Sequence, residues 1–190
     1  MRRPVVIVGC GGLGSWTSIM MAKGGWKEFV LVDPDVIEEK NLYTQAYFPE
    51  DVGKRKVFAL KKKLEALGAR AEAVPSAVED VIDDLPEAPL ALALTDNIPS
   101  RIRVEEKYKT LHAMVRPGLG ILLMTNDNLK LRDIMREGKH VGPQEVTMVT
   151  LVASVAAREA LEYLSRGSSV LEGKMLLITP YKFEFWWKKS

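Results

Sequence analysis

The chain has 190 residues, 47% of them hydrophobic, and 27 basic against 25 acidic side chains leave a net charge of only +2. That is enough chain for one domain with a sizeable core and too little for two full ones, and the charge balance gives no global field arguing for nucleic acid or an anionic membrane as partner. The lone cysteine, Cys10, excludes an internal disulfide and a four-cysteine zinc site, no apolar run reaches the roughly 18 residues of a membrane span, and Met1-Arg2-Arg3-Pro4 leads into a strand rather than a signal peptide, so a reducing cytoplasm is expected.

Val5 to Val8 read as a fully buried parallel strand, bounded by Pro4 and Gly9. Gly9, Gly11 and Gly14 then fall in the G-x-G-x-x-G spacing, which lets the chain reverse, lets backbone approach a phosphate and lets the next helix pack closely. With Gly12 they make a nucleotide-binding turn. The free N–H groups of the helix opening near Leu13 to Ser15 face the anion, an interaction worth about 0.3–1 kcal/mol. Ser15 to Lys23 continue that helix, with Trp16, Ile19 and Met20 on one face and Gly24-Gly25 as its stop. A second strand, Phe29 to Asp33, ends in an acid nineteen residues past Gly14, close to the roughly 20 at which a ribose-binding carboxylate is expected. Pro34 to Asp51 is irregular and long enough to suggest function, and it holds Asp35, Asn41, Leu42, Tyr43, Thr44 and Gln45.

Val52 to Leu67 carries apolar residues at 57, 60, 64 and 67, the pattern of an amphipathic helix ending at Gly68. Its six basic residues read as a solvated face, because no aromatic stacking set is interleaved with them. Strands are expected at 69–74, 89–94, 111–115 and 119–124, with helical segments at 78–85 and 98–108. Thr95-Asp96-Asn97 then sits at the carboxyl end of a core strand, where an open α/β sheet places its ligand. Beyond this the alternation ends. Leu129 to Arg136 reads as helical and Val146 to Leu164 as a long apolar helix, and Lys174 to Thr179 with Lys182 to Trp187 read as a closing hairpin turned at Pro180. The sum is a single α/β domain over residues 1–190, a Rossmann-like three-layer fold whose mostly parallel sheet continues into mixed strands, with helices on both faces. His112 and His140 read as structural or solvated, and Trp186-Trp187 as a cap on the core or a subunit interface. Cys10 lies inside the phosphate turn and is rejected as a thioester-forming nucleophile.

Asp33, Asn41, Lys56 and Asp96 recur at strand ends or adjoining loops. They belong to a wider set: Gly9-x-Gly11-Gly12-Leu13-Gly14-Ser15, Asp33-x-Asp35, Asn41-Leu42-x-x-Gln45, Val52-Gly53-x-x-Lys56, and Thr95-Asp96-Asn97 followed by Arg101. On these residues, and on through Ala153 to Leu164 and Glu172-Gly173-Lys174, the chain resembles the ubiquitin-activating enzyme-like adenylyltransferases, which include the thiamine and molybdopterin sulfur-carrier activating enzymes. The resemblance covers nearly the whole chain. It implies ATP- and magnesium-dependent adenylylation of a carboxylate, most often the C-terminal glycine of a ubiquitin-like or sulfur-carrier protein, in a two-fold homodimer. By position it implies that Asp33 holds the ribose, that Asn41 and Lys56 contact the phosphates, and that Asp96 positions magnesium. Gly9, Gly11, Gly12, Gly14 and Gln45 complete the implied nucleotide site.

Two departures stand out. Thr44 occupies the place of a family arginine, and the arginine often drawn from a partner subunit's N-terminal helix has no evident source, leaving Arg2, Arg3, Lys54 and Arg55 as stand-ins. The short, zinc-free build also resembles the member that activates a small pyridinol carboxylic acid in hydrogenase cofactor assembly. Two other classes stay open. An NAD-dependent dehydrogenase would use the same glycine turn and Asp33 but gives no reason for Asn41, Lys56 and Asp96, whereas a nucleotide-binding dimer that has lost catalysis would explain Thr44.

Overall fold

The apolar β-branched runs assemble side by side. In the computed structural model, which describes residues 3–135 and 144–186, β1 (Val5–Val8) and β2 (Glu28–Val32) pair in parallel with Val5 opposite Phe29 and Val8 opposite Val32. β3 (Arg70–Val74) joins the far side of β2, while β4 (Ala91–Ala93) joins β1 and β5 (Thr110–Arg116) joins β4, all parallel. β6 (Leu119–Met124), β7 (Lys174–Thr179) and β8 (Lys182–Trp186) extend the sheet antiparallel, giving one eight-stranded mixed sheet in the order β3-β2-β1-β4-β5-β6-β7-β8. The closing hairpin read from the sequence is present; Arg136, His140 and Trp187 lie outside the described residues.

Strand residues alternate between two cores. Val5 and Ile7 face a core shared with α1 (Gly12–Lys23), α2 (Lys56–Ala66) and α6 (Val146–Arg166). Val6 and Val8 face a second core with α3 (Val78–Val81) and α4 (Ile98–Lys107). Coverage on both faces explains why β1 is apolar at every position. A short helix, α5 (Leu131–Ile134), packs Leu131 against Leu123 and Leu129.

Three local differences from the sequence reading have physical causes. The buried residues of α1 are Leu13, Gly14, Ser15, Thr17, Ser18, Met21 and Ala22, with Trp16, Ile19 and Met20 only partly buried. The reason is that α1 lies tightly against α6, where small residues allow close approach: a Cβ on Gly24 would fall 2.4 Å from Leu161 Cδ1. α2 starts at Lys56 rather than Val52, because Gly53 at φ +84° and the bridge between Val36 and Arg55 hold residues 52–55 in a turn. α5 spans four residues and ends before Met135. No helix among the described residues is long and apolar enough to cross a membrane.

Candidate active site

Strand order reverses between β1 and β4, which opens a crevice at the carboxyl edge of the sheet, and the glycine turn fills it. Gly9 has φ +93°, and a Cβ there would lie 2.7 Å from the Thr95 nitrogen, so the turn runs hard against the end of β4. Its own N–H donates to Val32 O at 2.9 Å, which ties it to β2 as well. A Cβ on Gly14 would fall 1.8 Å from Gly9 O, so no side chain is possible there. Beside Gly11 the space is open, the nearest atom to a Cβ being Gln45 Nε2 at 3.8 Å. The turn is thus a cradle whose backbone is partly open at Gly11 and Gly12, while the side chains of Cys10 and Leu13 are buried in the core.

Two charged groups flank it. Asp33, one residue past β2, is buried; its Oδ2 accepts from Cys10 N–H at 2.6 Å and its Oδ1 from Asp35 N–H at 2.8 Å. Burial pushes this carboxyl up, and the Lys56 charge with the two N–H donors pulls it back only in part. Lys56 is the first residue of α2, with its side chain 8% exposed, and its Nζ donates at 2.6 Å to Oδ2 of Asp35, a side chain 60% exposed. A cation at the first position of a helix faces the positive end of the dipole, so its placement needs an anion. Here that anion is Asp35, which the sequence placed in the irregular stretch after β2.

The loop before α2 is pinned to the turn by groups the sequence reading did not single out for the site. Tyr47 donates its hydroxyl to Cys10 O at 2.7 Å and lies 3.4 Å from Lys56 O, joining the glycine turn to α2. Trp16 Nε1 donates to Thr44 O at 3.1 Å, and Ser15 Oγ accepts from Ala46 N–H at 3.0 Å. Gln45 is left with its Oε1 buried and without a hydrogen-bond partner among the described residues, an acceptor beside the cradle with no donor.

Not every expected site residue joins this cluster. Asn41 Oδ1 accepts from Glu38 N–H at 2.9 Å, closing the 3-10 turn Glu39–Tyr43, and no hydrogen bond links it to Lys56 or Asp33 among the described residues. Asp96 is exposed just past β4, while the neighbouring Asn97 caps α4 by accepting from Ser100 N–H at 3.2 Å. Beneath it Arg101 is buried and donates to Ala93 O and, at 2.8 Å, to Ala113 O. No group of three or more His, Cys, Asp or Glu residues suited to a metal ion exists among the described residues, so any metal here would have to bring ligands of its own.

The ThiF family model matches residues 2–189. This chain belongs to the ThiF family. Among individual proteins it is 34% identical to the "Sulfur carrier protein adenylyltransferase" of Thermus thermophilus over 110 residues, covering 55% of this chain and 41% of that protein. It is 35% identical to the Sus scrofa "Adenylyltransferase and sulfurtransferase MOCS3" over 107 residues, 54% of this chain and 24% of that protein. The chain therefore spans less than half the length of these relatives. In fold it matches the crystal structure of E. coli MccB with ATP, at a TM-score of 0.82 and 20% identity over 97% of this chain and 62% of that one.

Within the ThiF frame the stand-in cations separate by position. Arg3 lines a cavity of about 650 Å³ with Trp26, Pro89 and Arg158, at the amino edge of the sheet and away from the glycine turn, and Arg2 lies outside the described residues. Lys54 pairs with Asp51 at 3.5 Å, and Arg55 donates to Pro34 O, so these two remain on the loop that carries Lys56. Cys10 is fully buried and its thiol is pushed well up by that burial and by Asp33, which removes it as a nucleophile. His112 is fully buried against Glu105 at 3.2 Å, and burial lowers it to about 4, so it is neutral and structural as read from the sequence.

Proposed function

We propose that this ThiF family chain uses ATP and magnesium to adenylylate a carboxylate, the C-terminal glycine of a ubiquitin-like or sulfur-carrier protein. The observation that carries this reading is the pairing of a phosphate-type cradle with a buried ammonium, Lys56, on one side and a buried carboxylate, Asp33, on the other. A dehydrogenase has use for the cradle and Asp33 but none for Lys56. The name of the Thermus thermophilus relative favours a sulfur-carrier substrate.

In this reading a carboxylate oxygen attacks the α-phosphorus, the bond to the β-phosphate breaks, and pyrophosphate leaves with the electron pair. The chain's part is positioning and charge. Asp33 accepts from ribose hydroxyls with the lone pairs left over from Cys10 and Asp35, and the orphaned Gln45 oxygen accepts from a further donor on the nucleotide. The backbone of Gly9, Gly11, Gly12 and Gly14, with the N-terminus of the twelve-residue α1, faces the phosphates. Lys56 and Asn41 contact them. Charge at the phosphorus rises during attack, and a fixed cation there is worth about 2.7–4 kcal/mol. Asp96 fits magnesium as a single carboxylate, since that ion is usually held by one or two carboxylates together with nucleotide phosphates. Magnesium would supply charge neutralisation at the reacting phosphate. The enzyme acts as a cytoplasmic homodimer without nucleic-acid or membrane partners.

The test is exchange of labelled pyrophosphate into ATP, with sulfur-carrier proteins and small carboxylic acids such as pyridinols offered in parallel. Exchange that needs a carrier's C-terminal glycine and is lost in Asp96→Ala is the expected result. Stimulation by a small acid alone would move the substrate to the second class, and ATP binding without exchange under any condition would leave a nucleotide-binding dimer.

A further inference from the structure

The cavity of about 650 Å³ lies where β1, β2 and β4 begin, at the opposite edge of the sheet from the glycine turn. α1 runs between the two places: it starts at Gly12 beside the cradle, and the Gly24-Gly25 that follow its last residue line the cavity. A helix of twelve residues spans about 18 Å, so the cavity is no part of the nucleotide site. Its volume falls within the roughly 300–1,000 Å³ of small-molecule sites. The wall is of two kinds. Trp26, Pro89, Leu161 and Leu164 supply an apolar part, and the Trp26 indole N–H is spent on Glu28 O at 2.8 Å, so that ring adds apolar surface.

The other part is cationic. The guanidiniums of Arg3, Arg158 and Arg166 line the cavity against one carboxylate, Glu162. Arg158, Glu162 and Arg166 follow one another at four-residue steps on α6, which puts all three side chains on one face of that helix. Glu162 is shared, 3.1 Å from Arg166 and 3.5 Å from Arg158, whose Nη1 also donates to Glu159 at 2.7 Å. Arg3 has no hydrogen bond or ion pair among the described residues. The lining therefore carries an excess of positive charge beside apolar surface. The carboxyl end of α1 would oppose an anion, but the Met20, Ala22 and Met21 carbonyls there accept from the N–H groups of Gly24, Gly25 and Trp26. Arg158 and Arg166 are 67 and 73% exposed, and ion pairs that open to water are weak, so both guanidiniums can turn from Glu162 to a ligand. A planar guanidinium fork fits a carboxylate or a phosphate through two parallel bonds.

We infer that this cavity is a second ligand site and takes a small organic anion: a carboxylate or phosphate ester held by Arg3, Arg158 and Arg166, with a flat apolar body against Trp26, Pro89 and Leu161. The inference rests on the cavity and not on the adenylylation reading. The probe is anilinonaphthalene sulfonate, an aromatic anion whose fluorescence rises on binding, titrated into the full chain with and without ATP. Saturable binding to a single site is expected, undisturbed by ATP. Naphthoate or naphthyl phosphate should displace the dye, and naphthol, which lacks the charge, at least about tenfold less well. Arg3→Gln and Arg166→Gln should each weaken dye binding about tenfold. Ser165→Phe, which fills the cavity from an exposed position on α6, should abolish it, with ATP affinity at the wild-type level in all of these variants. Displacement of the dye by ATP, equal displacement by naphthol, or a dye affinity indifferent to the substitutions would overturn the inference. Failure of the wild-type chain to bind ATP or to exchange pyrophosphate would bear only on the catalytic reading.

Discussion

Two cations, Lys56 and Arg101, are buried among the described residues, and they are buried in different ways. Arg101 spends two of its donors on the carbonyls of Ala93 and Ala113, at the end of β4 and within β5, so it joins two strands, with its Nε buried and without a partner among the described residues. Lys56 is held by a single carboxylate that is itself mostly in solvent, at a helix position where its charge is disfavoured, next to the glycine-rich turn. A buried charge consumed by backbone is part of the scaffold. A buried charge balanced by one exchangeable partner is poised for a stronger anion, and that contrast separates site from support better than burial does.

The contrast can be broken by substitution. Arg101→Ala removes the joint between β4 and β5 and takes a donor from each of two carbonyls, at a cost of about 2–6 kcal/mol. Thermal unfolding should show this as a fall of roughly 10 °C, with residual exchange per folded molecule near the wild-type level. Lys56→Ala is expected to do the reverse: pyrophosphate exchange falls about 10²- to 10³-fold while the unfolding temperature moves by only a few degrees. If Lys56→Ala unfolds the chain and Arg101→Ala spares it, the assignment of the two cations is inverted.

His112 sharpens the scaffold side of the comparison. Burial lowers it from 6.5 to about 4, so the unfolded chain binds this proton more readily than the folded one. Stability from His112 is complete above about pH 6.5 and is lost as pH falls toward 4, by about 3 kcal/mol in all. A pH series of denaturation midpoints should show that slope in the wild type, and His112→Gln should flatten it. Its partner Glu105 accepts from Leu131 N–H at 2.8 Å, and these bonds outweigh burial and hold the Glu105 carboxyl below its usual range.

On the site side, Asp35→Ala should leave the fold intact and lower exchange about tenfold, because the Lys56 ammonium loses the bond that orients it. The smallest effect belongs to the loop. Trp16→Phe deletes the bond to Thr44 O, worth about 1 kcal/mol, and should lower the unfolding temperature by roughly 2–4 °C with a modest rise in the ATP concentration needed for exchange.

Much of the carboxyl edge was legible in the residues. Gly9, Gly14 and Asp33 declare themselves because a tight turn and a strand-end acid leave spacing that depends on local geometry alone. The positions of the strands along the chain followed from apolar runs at regular intervals, and only their ends moved by a residue or two. What stayed hidden depends on contacts across the chain. Asp35 gave no sign of its pairing with Lys56, since the two are joined through a loop whose path includes two 3-10 turns. Tyr47 carries no local signal for the bond its hydroxyl makes to Cys10 O, and Trp16 read as apolar face although its indole N–H faces Thr44. The start of α2 was misplaced because Val52 continues the apolar run while Gly53 turns the backbone out of it.

The central claim is that Lys56 and Asp33 frame a site for ATP, and calorimetric titration measures it most directly. ATP should bind the wild-type chain more tightly than NADH, Lys56→Gln should weaken ATP about 30-fold, and Arg101 variants that remain folded should bind it as the wild type does. Tighter binding of NADH than ATP, or an ATP affinity indifferent to Lys56→Gln, would contradict the account.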